Sequence, residues 1–517
     1  MRRVFLFAFA AFFALSATWA LTVPLGSTID EGAHMTWAAA VADGQLAPSR
    51  YDVPWGHDVL WVTARVRVPE VIADLGVTSG CSARDPQAPA TCSSPTSASD
   101  SSRMVASKTI MSLYNPLYYA AVGWPVYVLP GLDGLYAMRL ISALICSLLV
   151  ACAAVVALRI GRVAFAGVLV AATPMVLAQA GSVNPNGPEA AGGLLAFTAL
   201  CALAFDPEPA LVRSRLWFFA LGAGVVAIVR PAGLEWLAVI AVMAVLLPGA
   251  RPAYQLVRDR RSWPALGALL LAVLYAAAWM FTRGGLNSIP LPNGDKYTLK
   301  DSLEDSVRGT PGMLRSMIGP FSTSDTFYPF GTEAAWLLLL GFLLLCAALF
   351  ATRRQLLVLG LWFAGVLLMP LVANALTGPG LINLWQGRYG LWFAVGLPVY
   401  AAMVVEKRLA AWAPVVERRL TPIMVATVVA GHLAIFWFEA RRYGVGQAGS
   451  ALPLHFTWEP PMTWAGEGLL FAVGLALLGF LAWRGTARRD GSVPPQDLAV
   501  QPPPDVTGSM TAIQAAV

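Results

Sequence analysis

Charged side chains are scarce in this sequence: Asp, Glu, Lys and Arg together make up 12% of its 517 residues. That excludes an ordinary soluble domain, in which roughly 25% would be charged. Ten-residue segments of alternating polarity are also missing, which removes a transmembrane β-barrel. The chain has no Asn-x-Ser/Thr sequon, in keeping with a bacterial source. No charge is placed at the middle of an apolar run, and no repeat relating the two halves is evident. A proton-relay transporter would carry its site near the bilayer midplane, so the pattern favours chemistry at a membrane surface.

What is abundant is apolar: 57% of the residues are hydrophobic and the mean hydropathy is +0.64. Only helices and closed barrels satisfy their backbone in a bilayer, and a helix needs about 20 apolar residues to cross it. Segments near 4–21, 136–158, 163–181, 190–205, 216–229, 234–248, 265–281, 334–351, 356–376, 391–405, 421–438 and 468–483 meet that description. The expected fold is therefore an all-α polytopic membrane protein with about 12 transmembrane helices. The short segments at 216–248 leave a single re-entrant pair open. Arg2 and Arg3 followed by small residues at 17–20 also leave a cleavable signal peptide open, although retention as the first helix is the preferred reading. The stretch "NPLYYAAVGWPVYVLPG" (115–131) is interrupted by Pro125 and is expected to lie along or dip into the interface rather than cross.

Together with Arg2 and Arg3, more than half of the 35 Lys and Arg fall in alternate loops: "RIGR" (159–162), "VRSR" (212–215), "RPAYQLVRDRR" (251–261), "RR" (353–354), 406–419 and "RGTARR" (484–489). By the positive-inside rule these loops and both termini are cytoplasmic, and the protein is multi-pass in a bacterial plasma membrane. The net charge of +6 is thus a signal of topology, with no indication of nucleic-acid binding. The long external loops then span about 22–135 and 282–333 of a transmembrane domain at 1–483, followed by a Pro-rich, disordered cytoplasmic tail at 484–517. In the first external loop, "CSARDPQAPATC" places Cys81 and Cys92 where a disulfide persists, and a Cys81–Cys92 bridge is expected.

Three ionisable side chains crowd the exit of the first helix: Asp30, Glu31 and His34 in "STIDEGAH". Thr28 and Glu31 have the spacing of a capping box, so Glu31 is read either as a cap or as a functional acid. On the helix that follows, Asp30, His34, Trp37 and Val41 share a face, and Asp30 and His34 address one pocket. A partly desolvated carboxylate beside an imidazole suits a general base acting on a hydroxyl, or else it is a solvated surface acid. Two side chains are not a coordination sphere; no metal ligands are assigned, and a divalent cation is left open as a cofactor. At the start of the tenth helix Arg388 and Tyr389, in "WQGRYGLWFAVGLP", form either a phosphate-binding pair or an interfacial anchor. Arg139, Asn184, Asn186, Glu189, Arg230 and Glu235 lie at other helix ends, with an Arg230–Glu235 ion pair and an interfacial Arg139 as the simplest accounts.

The first helix, the acidic motif after it, two long external loops and a multi-helix body resemble the GT-C superfamily of membrane glycosyltransferases. More closely, "DEGAH", "NPLYY", "GSVNPNGPEAAGGLLA" and "WQGRYGLWFAVGLP" resemble a bacterial family of predicted polytopic membrane proteins. The resemblance implies interfacial helices in the first external loop and an outward-facing, inverting transfer of a sugar. The donor is a sugar on polyprenyl phosphate, and the acceptor is an envelope glycan, lipid or protein. It assigns Asp30, Glu31 and His34 to catalysis and Arg388 and Tyr389 to the donor phosphate. A transporter or flippase of a lipid-linked saccharide, and a non-catalytic protein of envelope assembly, are the competing readings.

Overall fold

The structure is a computed structural model that describes residues 2–55, 59–78, 85–92, 103–285, 291–292, 298–319, 330–376, 385–412, 414–452 and 455–487. Helix α1 (Arg2–Thr22) leads through a turn into α2 (Glu31–Ala42). Strands β1 (Arg50–Trp55) and β2 (Val59–Pro69), helix α3 (Glu70–Thr78) and strand β3 (Met104–Thr109) follow, and then the short helices α4 (Pro116–Gly123) and α5 (Pro125–Val128). The bundle continues with α6 (Gly131–Ile160), α7 (Arg162–Ala171), α8 (Pro174–Ala180), α9 (Asn186–Phe205), α10 (Pro209–Val229), α11 (Gly233–Leu246), α12 (Ala250–Arg258) and α13 (Trp263–Arg283). Its remainder comprises β4 (Leu291–Pro292), α14 (Leu299–Ser316), α15 (Phe330–Phe350), α16 (Arg353–Leu376), a 3-10 turn at Gly387–Gly390, α17 (Leu391–Ala394), α18 (Gly396–Trp412), α19 (Pro414–Val445) and α20 (Thr463–Ala487).

Among the described residues ten helices are long and apolar enough to cross a membrane, or up to 12 if two bent pairs each count as one span. The expected all-α polytopic architecture is what the chain forms. The bent pairs are α7–α8, broken by 66°, and α11–α12, broken by 107°. At the first break Pro174 lacks the N–H that would continue the helix. The freed polar groups are met by the end of α14: Thr173 Oγ1 donates to the Met317 carbonyl at 2.7 Å, and Met175 N–H to the Ile318 carbonyl at 2.9 Å. Helix α10, at 21 residues, is long enough to cross by itself, so segment 216–248 does not fold as one re-entrant pair.

Helix α1 packs between α6 and α20, α6 against α9, and α9 against α10. Small residues set the closest approaches. A Cβ on Gly193 of α9 would lie 2.1 Å from the Trp392 carbonyl oxygen of α17, a separation only glycine tolerates. The main core fills the bundle. A second apolar cluster joins α2, β2, α3, α4 and the start of α6 through Trp37, Val66, Val68, Ile72, Tyr119 and Met138.

The segment between α1 and α6 carries helices α2, α4 and α5, and also an antiparallel sheet ordered β1-β2-β3, with β4 pairing to β2. The sheet is an addition to what the sequence suggested. Its signal is the two-residue alternation in "VTARVRV", where Val66 and Val68 point into the second core and Arg65 and Arg67 outward. The 115–131 stretch forms α4 and α5, which are too short to cross. Gly123 lets α4 press on α2, since a Cβ there would sit 2.1 Å from the Ala38 carbonyl oxygen. The expected Cys81–Cys92 bridge and tail residues 488–517 lie outside the described residues.

Candidate functional site

The exit of α1 is held by an ion pair that the capping-box reading did not foresee. Glu31 is completely buried and accepts from Arg139 twice, Nε to Oε1 at 2.8 Å and Nη2 to Oε2 at 2.5 Å. It also accepts the backbone N–H groups of Val183 at 3.1 Å and Gly26 at 3.3 Å. Arg139 in turn donates to the carbonyls of Ala20, Val23 and Pro24. Capping fails because Asp30, not Thr28, occupies the N-cap position of α2, and its side chain makes no capping bond. Arg139 is equally no interfacial anchor: it is fully buried and joins α6 to the α1–α2 turn. A buried charge pair persists only when its remaining donors and acceptors are satisfied, and here the α1 exit and the α8–α9 turn supply them.

With Glu31 turned inward, Asp30 is left at the surface of the bundle end. It adopts φ +66°, a left-handed conformation that costs a non-glycine residue about 1–2 kcal/mol. Its carboxylate lies 2.5 Å from Arg388 Nη2, and the side chains are 35% and 4% exposed respectively. The Ile29 carbonyl beside it accepts from Asn184 Nδ2 at 3.2 Å and faces Arg388 Nη1 at 3.5 Å. Arg388 comes from the 3-10 turn, where Gly387 is wedged under α14: a Cβ there would meet Ser316 Oγ at 2.3 Å and the Met313 carbonyl oxygen at 2.4 Å.

Tyr389 stands between two guanidinium groups. Arg388 lies 5.1 Å from its ring centroid and donates to its hydroxyl at 3.2 Å, and Arg230 lies 4.6 Å from the same ring. Arg230 does not pair with Glu235. It extends from the α10–α11 turn back to α9, donating to Asn186 Oδ1 at 2.7 Å and Glu189 Oε2 at 3.2 Å, whereas Glu235 is exposed in the first turn of α11. The extended backbone at Arg230, φ −132°, directs the side chain that way.

His34 shares the neighbourhood of Asp30 without bonding to it. Its Nδ1 is 2.8 Å from the Tyr119 hydroxyl, and its ring lies edge-on to Tyr114 at 5.4 Å. Burial, and then the positive charges of Arg388 and Arg230, hold the imidazole well below its ordinary pKa, so it is neutral. Burial likewise pushes the Tyr119 phenol well up, which keeps it protonated. Tyr114 and Tyr119 lie in and beside the "NPLYY" motif; that motif was the available signal for them, and spacing alone did not place them against His34.

The assembled constellation is one partly exposed carboxylate, a neutral imidazole with a phenol, and two guanidinium groups flanking a tyrosine. Such a site suits a mono- or dianion and offers an acceptor for a proton. Among the described residues no three His, Cys, Asp or Glu side chains converge as a metal site. In the second long segment Arg315 pairs closely with Glu333, and Arg308 with Glu304 at 3.3 Å, so these cations are engaged away from Asp30.

Residues 13–397 match the model of the family described as Predicted membrane protein (DUF2142). No curated protein and no solved structure matches the chain.

Proposed function

The chain belongs to this DUF2142 family of predicted membrane proteins, and from that premise we propose that it is an inverting glycosyltransferase of the GT-C type. It works at the outer face of a bacterial plasma membrane with both termini in the cytoplasm, drawing a sugar from a polyprenyl-phosphate donor. The acceptor is an envelope glycan, lipid or protein. The observation that carries this reading is the Asp30–Arg388 contact of 2.5 Å beside Tyr389 and Arg230. It unites a carboxylate and a guanidinium fork at one end of the bundle.

Activated nucleotide sugars are cytoplasmic, so an outward-facing transferase needs a lipid-carried donor whose phosphate is the leaving group. The donor phosphate competes with Asp30 for Arg388, whose planar fork matches it, and frees the Asp30 carboxylate as it docks. Asp30 then takes the proton of the acceptor hydroxyl while that oxygen attacks the anomeric carbon from the opposite face. The bond from the anomeric carbon to the phosphate oxygen breaks, and its electron pair leaves on the polyprenyl phosphate. Arg388 and Arg230 stabilise the charge developing there. His34 is neutral and bound to Tyr119, which suits positioning the phenol rather than adding a third cation. Glu31 is a positioning residue, since its contacts are to Arg139 and backbone N–H groups.

Purified protein in proteoliposomes, given a polyprenyl-phosphate sugar and an envelope extract, tests this directly. Transfer by the wild type and none by Asp30→Asn, with equal insertion of both, is expected. Full activity of Asp30→Asn removes the proposed base, and movement of the donor across the bilayer with no new glycosidic bond makes the protein a flippase instead.

A further inference from the structure

An apolar groove lies at the far end of the bundle. Helices α9 and α10 both reach the Asp30 end, α9 through Asn186 and α10 through Arg230. Leu203 of α9 is therefore about 25 Å along the axis from that end, and Leu216 of α10 about 20 Å, at 1.5 Å per residue. Around these residues, α9 to α13 enclose a groove of ≈ 410 Å³. Leu203, Leu216, Phe219, Ile240, Leu256 and Leu269 are among its walls, and every lining residue is apolar.

Its roof is α12, a helix built as one would expect of a lipid-facing element. Ala253, Leu256 and Val257 line the groove, while Arg251, Tyr254 and Arg258, spaced three and four apart, form the opposite, exposed face. Arg258 lies over the Tyr254 ring at 5.1 Å. Residues 250–262 hold four arginines against one aspartate, and no α12 residue is buried.

The position of α12 is fixed at both ends. The 107° corner after α11 turns on Gly249 at φ +98°, a conformation reserved for glycine. Arg354 of α16 clamps that corner by donating to the carbonyls of Leu246 at 2.6 Å, Leu247 at 3.1 Å and Pro248 at 3.2 Å. At the other end Trp263 Nε1 donates to the Val257 carbonyl at 3.2 Å. An apolar groove among membrane-spanning helices is filled by hydrocarbon, since a void forfeits dispersion contacts. A rigid cationic roof then selects which headgroup accompanies that chain.

We propose that this groove is a binding site for an anionic phospholipid, with an acyl chain between α9 and α13 and the phosphate at the edge of α12, where the long Arg251 and Arg258 side chains reach it. The proposal stands apart from the glycosyltransferase reading, because neither the groove nor α12 contributes to the Asp30 end.

Native mass spectrometry of the full chain in detergent tests it, with phosphatidylglycerol and phosphatidylcholine of identical acyl chains as probes. The wild type is expected to retain phosphatidylglycerol preferentially. Arg251→Gln/Arg258→Gln should lose that preference by about fivefold per arginine, while phosphatidylcholine, whose choline cation offsets its phosphate, changes less. Ala244→Trp or Val257→Trp, which fill the groove, should lower retention of both lipids, and two positions guard against one variant failing to fold. Soluble glycerol phosphate should displace neither lipid. Equal retention of both lipids by the wild type, unchanged phosphatidylglycerol in the double arginine variant, or displacement by glycerol phosphate would each overturn the assignment.

Discussion

The Asp30 carboxylate lies 2.5 Å from Arg388 Nη2, joining two positions 358 residues apart in the chain. Arg388 is buried while Asp30 remains open on one side, so a ligand can reach the acid and compete for the arginine.

Replacing Arg388 with Lys keeps the charge and removes the planar fork. A monodentate ammonium cannot hold a phosphate through two parallel bonds, so affinity for polyprenyl phosphate should fall about tenfold or more. Equilibrium binding to the detergent-purified protein measures this. Unchanged affinity would assign Arg388 to holding Asp30 alone.

Glu31 and Arg139 should behave as structure. Replacing one of them, Glu31→Gln or Arg139→Met, strands a buried charge and should cost about 3–5 kcal/mol. The double replacement should cost less than the sum of the two singles. Asp30 is 35% exposed beside the buried Arg388, so solvent moderates the loss there and Asp30→Asn should cost less than either of those single variants. Thermal unfolding in detergent separates the two acids, which are neighbours in the chain.

His34 predicts a direction in pH. Its folded pKa is held well below the unfolded value of about 6.5, so the unfolded chain binds a proton that the folded chain refuses. Its contribution to stability is complete above that value and is lost as the pH falls toward the folded pKa. Between about pH 6.5 and 5 the wild type should therefore lose more stability than His34→Gln. Parallel unfolding profiles of the two proteins would remove His34 from this role.

Gly387 should tolerate no side chain, because a Cβ would lie 2.4 Å from the Met313 carbonyl oxygen and that backbone belongs to α14. Gly387→Ala should displace the turn carrying Arg388 and reduce both donor binding and stability. Gly32→Ala is the control: its Cβ meets nothing within 4 Å, and alanine in a helix gains about 0.5–1 kcal/mol over glycine. Equal behaviour of the two variants in a donor-binding assay would argue against the wedge.

The spans were legible from the chain because twenty apolar residues in succession satisfy a bilayer whatever their neighbours are. The sequence also marked Asp30, His34, Arg388 and Tyr389 as candidates, because polar groups at the ends of apolar helices are costly unless used. It could not choose partners. Thr28 and Glu31 have capping spacing, yet Glu31 is drawn inward by Arg139, which lies 108 positions away. Arg230 and Glu235 are close in sequence, yet the extended backbone at Arg230 sends its guanidinium to Glu189. Local spacing reports which side chains a single helix can bring together. Which charge neutralises which is decided where separate helices meet, and there desolvation penalises every arrangement except the one that leaves buried charges paired.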